Sequence, residues 1–238
     1  MDPEAEPASE GALDAKLLLH AKVYRELRWR LATGKIAPDV GLSTRGIAEE
    51  LGVSQMPVRE ALSRLSADGA VEIRSRRKIM IAPMTSARFH DVLRCRLLLE
   101  PESAKAALPF LNASRRAGLR DADMSLEAAL RSGDVNAYME SNYDFHFRLY
   151  HAHGGVTLNR LIEMLWLQFG PYMRFVYARY GTGSISNQHE AALAAIERGD
   201  SEALAVAVHR DIQEGMALIG RYGISETAQS PSASATAL

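Results

Sequence analysis

The sequence is poor in the features of secreted and membrane-spanning proteins. One cysteine, Cys95, stands among 238 residues, so no intramolecular disulfide can form. No hydrophobic run approaches the roughly 20 residues that cross a bilayer. The acidic first 16 residues contain no apolar stretch typical of a signal peptide. These absences exclude a disulfide scaffold, and they predict a cytoplasmic protein with no membrane partner.

The sequence also lacks an excess of either charge. Its 28 Lys and Arg and 29 Asp and Glu give a formal net charge of -1, which by itself argues against a polyanionic partner. The charge is unevenly distributed, however: residues 17–84 carry +5, residues 1–16 carry -4 and residues 85–223 carry -1. With 47% hydrophobic residues, the chain can form one large or two small cores. A basic segment therefore precedes a larger, nearly neutral one.

The basic segment has the pattern of short helices followed by short strands. Apolar residues at helical spacing predict a first helix over residues 17–33. Two shorter helices, over residues 44–51 and 56–68, follow serines that can cap them. Alternating residues predict strands over residues 70–73 and 79–82, joined by a cationic tip. These are the parts of a winged helix-turn-helix.

Helical periodicity continues almost without interruption after Pro83, and no further strand is predicted. The predicted fold class is mainly α: an N-terminal winged helix-turn-helix of three helices and a two-stranded wing, then an all-α antiparallel bundle of six or seven helices. The predicted organisation is a disordered acidic head (1–15), the winged domain (16–83), a linker (84–86), the helical domain (87–223) and a disordered tail (224–238).

A winged helix-turn-helix places its second helix in the major groove of DNA. Gln55 can make a paired contact to adenine, and Arg59 can contact guanine or phosphate. Arg45 precedes that helix and is expected to hold the DNA backbone, although a solvated surface is the alternative for any single arginine. The predicted DNA-binding residues are Arg45, Ser54, Gln55, Met56, Pro57, Arg59, Arg76, Arg77 and Lys78.

Two stretches resemble one family of bacterial regulators. LSTRGIAEELGVSQMPVREALSRLSADGAVEI, residues 42–73, is similar to the N-terminal domain of GntR-family transcription regulators. RLLLE (96–100), NYDFH (142–146) and QHEAAL (188–193) resemble the helical effector domain of the FadR-type branch, the FCD domain. The resemblance implies a homodimer that binds double-stranded operator DNA under the control of a small carboxylate effector, more often as a repressor than as an activator. In many members an Asp and three His bind zinc or nickel beneath the effector pocket, whereas other members bind no metal.

Helical periodicity tests whether the corresponding side chains meet in this chain. Asn142 and His146 are four residues apart and share a helical face. His189 and Asp211 are equidistant from a turn at residues 199–200, so they should lie level on paired helices. Asp211 falls on the apolar stripe of its helix, whereas His209 falls roughly 140° away. Asn142, His146, His189 and Asp211 either hold a divalent metal, zinc or nickel being favoured by the resemblance, or are core polar groups bonded to one another.

Arg96 is the candidate anchor for an anionic effector, because a guanidinium in an apolar domain needs a carboxylate partner. Glu100, four residues on, is the internal partner, and a ligand carboxylate can complete the pairing. Trp166, Gln168 and Tyr172 are predicted to line the same cavity, with ordinary core packing as the alternative.

Two other functions compete with a metal-containing, effector-controlled regulator. One keeps the DNA-binding module and makes the helical domain a metal-free sensor or a dimerisation scaffold. The other is a small metal-dependent hydrolase. The sequence shows neither a separate general base at a convincing spacing nor a cofactor fingerprint, so the protein is predicted not to be an enzyme.

Overall fold

A computed structural model describes residues 10–38, 40–75, 78–180, 188–222 and 224. The described residues are mainly helical and contain one two-stranded antiparallel sheet, which confirms the predicted fold class. The elements are α1 (Glu10–Ala32), α2 (Thr44–Leu51), α3 (Gln55–Ala67), β1 (Val71–Ser75), β2 (Lys78–Ile81), α4 (Ser86–Ala107), α5 (Ala113–Ser132), α6 (Val135–Tyr150), α7 (Val156–Tyr180), α8 (Gln188–Arg198) and α9 (Ser201–Tyr222). Short 3-10 helices follow α4 and α6.

The N-terminal elements form a winged helix-turn-helix. Ser43 caps α2 by accepting a hydrogen bond from the Gly46 amide, and Gly52 ends that helix with a φ of 65°, a conformation that glycine adopts without steric cost. Helix α3 begins directly after Ser54 and packs against α1. Val71 of β1 pairs with Ile81 of β2, and the strand ends lie within two residues of their predicted positions.

Helix α1 begins at Glu10, earlier than the predicted start at residue 17. Residues 10–15 therefore belong to a helix, in contrast to the disordered head predicted for residues 1–15, of which residues 1–9 lie outside the described residues. The prediction followed apolar residues at helical spacing, and three of these, Val23, Leu27 and Leu31, are buried in the structure. The preceding Ala, Leu and Lys residues favour helix through propensity alone, which apolar periodicity does not detect.

Helices α4 to α9 form the bundle. Helix α5 packs on α6, α4 packs on α9, and α8 and α9 form an antiparallel pair. Gly199 ends α8 with a φ of 68°, and the Asp200 carboxylate accepts a hydrogen bond from the Ala203 amide at the start of α9. This tight turn places the two helices in the register predicted from their sequence.

The two halves share one hydrophobic core, which runs from Val23 in α1 to Ile219 in α9. Helix α7 of the bundle packs against α1, and the closest approach is at Gly170. A Cβ atom on Gly170 would lie 2.5 Å from the carbonyl oxygens of Leu31 and Ala32. Glycine therefore permits the main contact between the halves. Within the described parts of the chain, no helix is long and apolar enough to span a membrane.

Candidate functional site

Three helices of the bundle bring His146, His189 and Asp211 together. Nε2 of His146 lies 3.1 Å from Oδ2 of Asp211 and 3.3 Å from Nε2 of His189. Nε2 of His189 lies 3.8 Å from Oδ1 of Asp211. Both imidazoles are almost fully buried, and the Asp211 side chain is one-fifth exposed. His209, on the same helix as Asp211, lies outside the cluster.

A second layer of polar groups surrounds His146. Nδ1 of His146 lies 3.0 Å from the hydroxyl oxygen of Tyr150, and that hydroxyl donates to Oε2 of Glu100 at 2.9 Å. The same oxygen accepts from the indole nitrogen of Trp166 at 3.2 Å, and Glu100 accepts two further hydrogen bonds from Arg96 at 2.6 and 3.2 Å. The Glu100 carboxylate therefore has its hydrogen-bonding capacity filled by the buried side chains of Arg96, Tyr150 and Trp166.

Asp211 and His146 have shifted pKa values in the cluster. Burial raises the pKa of Asp211, but hydrogen bonding to His146 and the nearby imidazoles and Arg96 outweigh that effect and lower the pKa from 3.8 to about 2. Burial lowers the pKa of His146 below 6.5, and the Asp211 carboxylate only partly opposes the shift. A carboxylate thus faces an imidazole that prefers to be neutral.

These donors fit a divalent cation. The 3.1 Å contact between Nε2 of His146 and Oδ2 of Asp211 is a hydrogen bond when Nε2 carries the proton, and a cation can replace that proton. One ligand atom from each of His146, His189 and Asp211 lies within 4.8 Å of the others. Electron-pair donors so close together are stabilised by a positive ion between them. Two imidazoles and a carboxylate are a common ligand set for zinc and other transition metals.

A small cavity lies beside the cluster. Its walls include Arg96, Asn142 and Asp211, together with Tyr138, Met173, Tyr177, Ile212, Gly215 and Ile219. The volume is about 10 Å³, close to the space that one water molecule needs. Arg96 thus lies on the cavity wall, and buried Glu100, which is not part of the wall, accepts two hydrogen bonds from it. Asn142 lies on the cavity wall beside Asp211.

Two of the predicted effector residues lie elsewhere. The Tyr172 hydroxyl donates to the Ala82 carbonyl and accepts from the Met84 amide, and Gln168 donates to the Asp68 carbonyl. Both side chains hold α7 against the winged domain. The prediction grouped neighbours in sequence, but α7 has two faces: Met173 and Tyr177 line the cavity, whereas residues 168 and 172 lie on the face toward the wing.

Trp166 is almost fully buried and lies behind the cavity rather than on its wall. Its indole nitrogen bonds Glu100, and its ring centroid is 5.3 Å from that of His146. Trp166 therefore supports the second layer around His146 and is not among the residues that face the cavity.

The predicted DNA-binding residues of α2 and α3 are largely on the surface. Ser54, Gln55, Met56 and Arg59 are exposed around the N-terminus of α3, and the Ser54 side chain makes no capping hydrogen bond. Arg59 forms no ion pair with any described residue. Arg45 is 78% exposed and pairs with Glu49 at 2.8 Å. This end of α3 presents hydrogen-bond donors and a helix N-terminus to the solvent.

The remaining predicted DNA-binding residues differ from this group. Pro57 is buried in the first turn of α3. It therefore contributes to packing and lacks the exposed position that its predicted DNA contact needs. A proline ring there is compatible with the helix and adds apolar surface to the core. Arg76 and Arg77 lie outside the described residues, and Lys78 begins β2.

Sequence reasoning missed two residues next to the cluster. Tyr150 lies four residues after His146 on α6, a spacing that places both on one face. Asp123 of α5 is buried, and its Oδ1 lies 3.5 Å from Nδ1 of His189. Asp123 follows buried Leu119 by four residues, so its position on an apolar face was the available signal.

Known protein families match the two halves of the chain separately. Residues 19–81 match the profile described as bacterial regulatory proteins, gntR family, and residues 91–214 match the FCD domain. The chain is 27% identical over 205 residues to the HTH-type transcriptional regulator McbR of Escherichia coli (strain K12), covering 84% of this chain and 92% of McbR. It is 30% identical over 148 residues to an uncharacterized HTH-type transcriptional regulator of Agrobacterium vitis, covering 60% of this chain and 86% of that protein.

A solved structure gives the same result for the fold. The structure of E. coli McbR/YncC aligns with a TM-score of 0.80 and 27% identity, covering 86% of this chain and 98% of that chain. The matches span both the winged domain and the bundle. The matched profiles and relatives are transcription regulators rather than enzymes.

Proposed function

This chain belongs to the GntR family of DNA-binding transcription regulators and has an FCD effector-binding domain, and we propose that a small carboxylate bound in that domain controls its binding to operator DNA. We include in the proposal a divalent metal ion, zinc or nickel, held beside the effector by His146, His189 and Asp211. The convergence of two imidazoles and one carboxylate carries the proposal. Asn142 completes the proposed ligand set as a weaker amide donor.

The proposed effector site uses Arg96 as its anchor. Two of its nitrogens bond Glu100, and its Nη1 makes no hydrogen bond to a described residue, so donors remain for a ligand carboxylate. A bound metal ion would supply positive charge for a second ligand oxygen. The cavity is smaller than any carboxylate metabolite, so effector binding has to move a wall of the cavity.

Helix α7 connects the proposed effector site to the DNA-binding half. Tyr177 lines the cavity, whereas Gln168 and Tyr172 bond the winged domain. A displacement of α7 by the effector would therefore change the position of the winged domain. In a homodimer this changes the distance between two recognition helices, on which binding to a two-fold operator depends. We propose that effector binding releases the operator, which makes the protein a repressor.

Metal analysis tests the metal part of the proposal. Protein purified without chelators should contain about one zinc or nickel ion per chain. His146→Ala and His189→Ala should lose the ion, and His209→Ala, altered outside the cluster, should keep it. Equal metal content in all four proteins would exclude this site and favour a metal-free sensor on the same DNA-binding module.

Thermal unfolding tests the effector part. Small carboxylates and sugar acids are screened for an increase in melting temperature, since a ligand that binds only the folded state stabilises it. An effector should raise the melting temperature of the wild type and have little effect on Arg96→Gln. An equal increase in Arg96→Gln would remove Arg96 from the effector site.

Footprinting tests the DNA-binding part. A duplex selected from a random library by the wild-type protein should be protected by the wild type and by Pro57→Ala. Each contact to a base or phosphate contributes roughly 1–3 kcal/mol, so Arg45→Ala and Arg59→Ala together should weaken binding by at least about 30-fold. Protection retained by the double variant would contradict the proposed role of this surface.

A further inference from the structure

A groove of about 750 Å³ lies between the winged domain and the bundle. Helices α1 and α3 form one side of the groove, and the first half of α7 with the preceding 3-10 helix forms the other. Its walls share no described residue with the cavity beside Arg96. The groove is thus a separate space, and it has the size of a site for a small molecule.

The two carboxylates of the groove are already bonded to neighbouring side chains. Glu163 of α7 forms an ion pair with Arg28 of α1, and its Oε1 lies 3.0 Å from Nε2 of His151. The Asp68 carboxylate accepts a hydrogen bond from the Tyr24 hydroxyl at 3.0 Å. These bonds join α1 to α7 and to the end of α3, and they occupy the negative charges of the groove.

Two further guanidinium groups line the groove and keep donors for a ligand. Arg160 of α7 is exposed, and its side chain forms no ion pair or hydrogen bond with any described residue. Arg64 of α3 bonds Glu60 through one nitrogen at 2.9 Å, and Glu60 does not line the groove. Three arginines therefore face two carboxylates, and unused N–H donors accompany the surplus positive charge. Such a surface favours a phosphate or carboxylate group.

A buried amide beside these arginines lacks a partner. Asn159 precedes Arg160 on α7, lines the groove and is only 8% exposed. Its Oδ1 is buried and makes no hydrogen bond with a described residue. A buried polar oxygen without a partner is unfavourable, and a hydroxyl group in the groove would supply the missing donor.

We propose that this groove is a second ligand site, separate from the effector cavity, and that it takes a small molecule with a phosphate group and hydroxyl groups, such as a sugar phosphate. Arg64 and Arg160 bind the phosphate, whose three oxygens can accept from two guanidinium groups. Asn159 accepts from a hydroxyl of the same molecule. Because Arg64 belongs to α3 and Arg160 to α7, the ligand ties the helix that carries the DNA-binding residues to the bundle.

Isothermal titration with glucose 6-phosphate tests the proposal. Arg160→Gln should weaken binding about 10- to 100-fold, the loss expected for a hydrogen bond to a charged group. Arg198→Gln is the matched control, since Arg198 is also exposed and forms no ion pair with a described residue, but lies on α8 away from the groove. It should bind like the wild type.

Two other probes separate the contacts within the groove. Asn159→Ala should weaken binding of glucose 6-phosphate and leave the weaker binding of inorganic phosphate unchanged, because only the sugar supplies a hydroxyl. Arg160→Gln should weaken binding of both. Equal binding of glucose 6-phosphate by Asn159→Ala and the wild type would remove the hydroxyl contact and with it the proposed ligand class.

Arg96→Gln distinguishes this site from the proposed effector site. It should bind glucose 6-phosphate like the wild type, whatever the outcome of the carboxylate screen. Loss of binding in Arg96→Gln but not in Arg160→Gln would place the ligand in the effector cavity and overturn the proposal. No binding of either phosphate by the wild type would overturn it as well. If Arg160→Gln weakens binding to a selected DNA duplex and leaves glucose 6-phosphate binding unchanged, Arg160 is a DNA contact and the groove is not a ligand site.

Discussion

Two Arg–Glu pairs with the same spacing lie in the two halves of this protein. Arg45 and Glu49 in α2 are 2.8 Å apart, and Arg96 and Glu100 in α4 are 2.6 Å apart. The first pair is 78% and 64% exposed, whereas the second is 5% and 0% exposed. The same residue types at nearly the same distance therefore occupy opposite environments.

The environment decides what each pair does. Water screens the exposed pair, which stabilises a helix by only about 0.3–0.5 kcal/mol and can exchange its partner for a DNA phosphate. The buried pair has lost its hydration, so each charge depends on the other and on the groups that Glu100 also bonds. The N-terminal half presents its charges to a large partner, whereas the bundle encloses its charges around a small cavity.

Breaking the buried pair should have the largest effect. Glu100→Ala leaves Arg96 charged in the core and also removes the acceptor of Tyr150 and Trp166. We expect the free energy of unfolding to fall by about 3–5 kcal/mol, measured by urea denaturation. Glu49→Ala is the matched control and should change it by less than about 0.5 kcal/mol. Similar losses in both variants would remove the distinction between the pairs.

The contact between the halves should be the next most sensitive position. Gly170→Ala places a Cβ atom 2.5 Å from two carbonyl oxygens at the end of α1, and backbone atoms cannot move aside easily. We expect a loss of about 1–3 kcal/mol in the free energy of unfolding. Gly215→Ala, whose Cβ would lie 3.4 Å from the Tyr177 hydroxyl, should be tolerated better. If Gly170→Ala were as stable as the wild type, α1 and α7 would not be packed as closely at Gly170 as the structure shows.

As the pH falls, the protein should lose stability through His146 and Asp211 of the buried cluster before it loses stability through exposed charged groups. The His146 pKa is lowered in the folded protein, so the unfolded chain binds a proton first as the pH falls below 6.5. Asp211 has a folded pKa of about 2 against 3.8, so its contribution is present above pH 3.8 and is lost toward pH 2. The melting temperature of metal-free protein should therefore fall between about pH 7 and pH 5. His146→Asn should show a weaker dependence, and an identical one would contradict this account.

The exposed pair should give the smallest change in stability. Arg45→Ala removes a screened ion pair, and we expect the free energy of unfolding to change by less than about 0.5 kcal/mol. Binding of Arg45→Ala to a selected DNA duplex should nevertheless weaken. The slope of the logarithm of the binding constant against the logarithm of the salt concentration should decrease by about one, because one phosphate contact is lost. Arg131→Ala, which removes an exposed pair with Glu127 in the bundle, is the control and should bind DNA like the wild type. Unchanged DNA binding by Arg45→Ala would limit the proposed contact surface to α3 and the wing.

Much of the fold could be predicted because local signals were strong. Ser43 and Gly52 mark the ends of α2, and the turn at Gly199 sets the register of α8 against α9. From that register the sequence placed His189 level with Asp211, and their side chains are 3.8 Å apart in the structure. Helix faces and turns depend on neighbours in sequence, so a single sequence can reveal them.

The predictions that differ depended on contacts between distant segments. Gln168 and Tyr172 are close in sequence to Trp166, yet they bond the winged domain 100 and 90 residues away in the chain. Pro57 belongs to a motif associated with DNA binding, but the packing of α3 buries it. Which side of a helix meets which neighbour is decided by the whole set of packed elements.

The sequence by itself determined the winged helix-turn-helix, the helical bundle and the inward faces that hold His146, His189 and Asp211. Periodicity, caps and charge distribution encode these features locally. Only the tertiary structure decided that Glu100 accepts hydrogen bonds from three buried side chains, that Tyr150 lies between it and His146, and that the cavity beside Arg96 measures only about 10 Å³. Hydrogen bonding and burial at these positions depend on side chains that meet only when α4, α6 and α7 pack together.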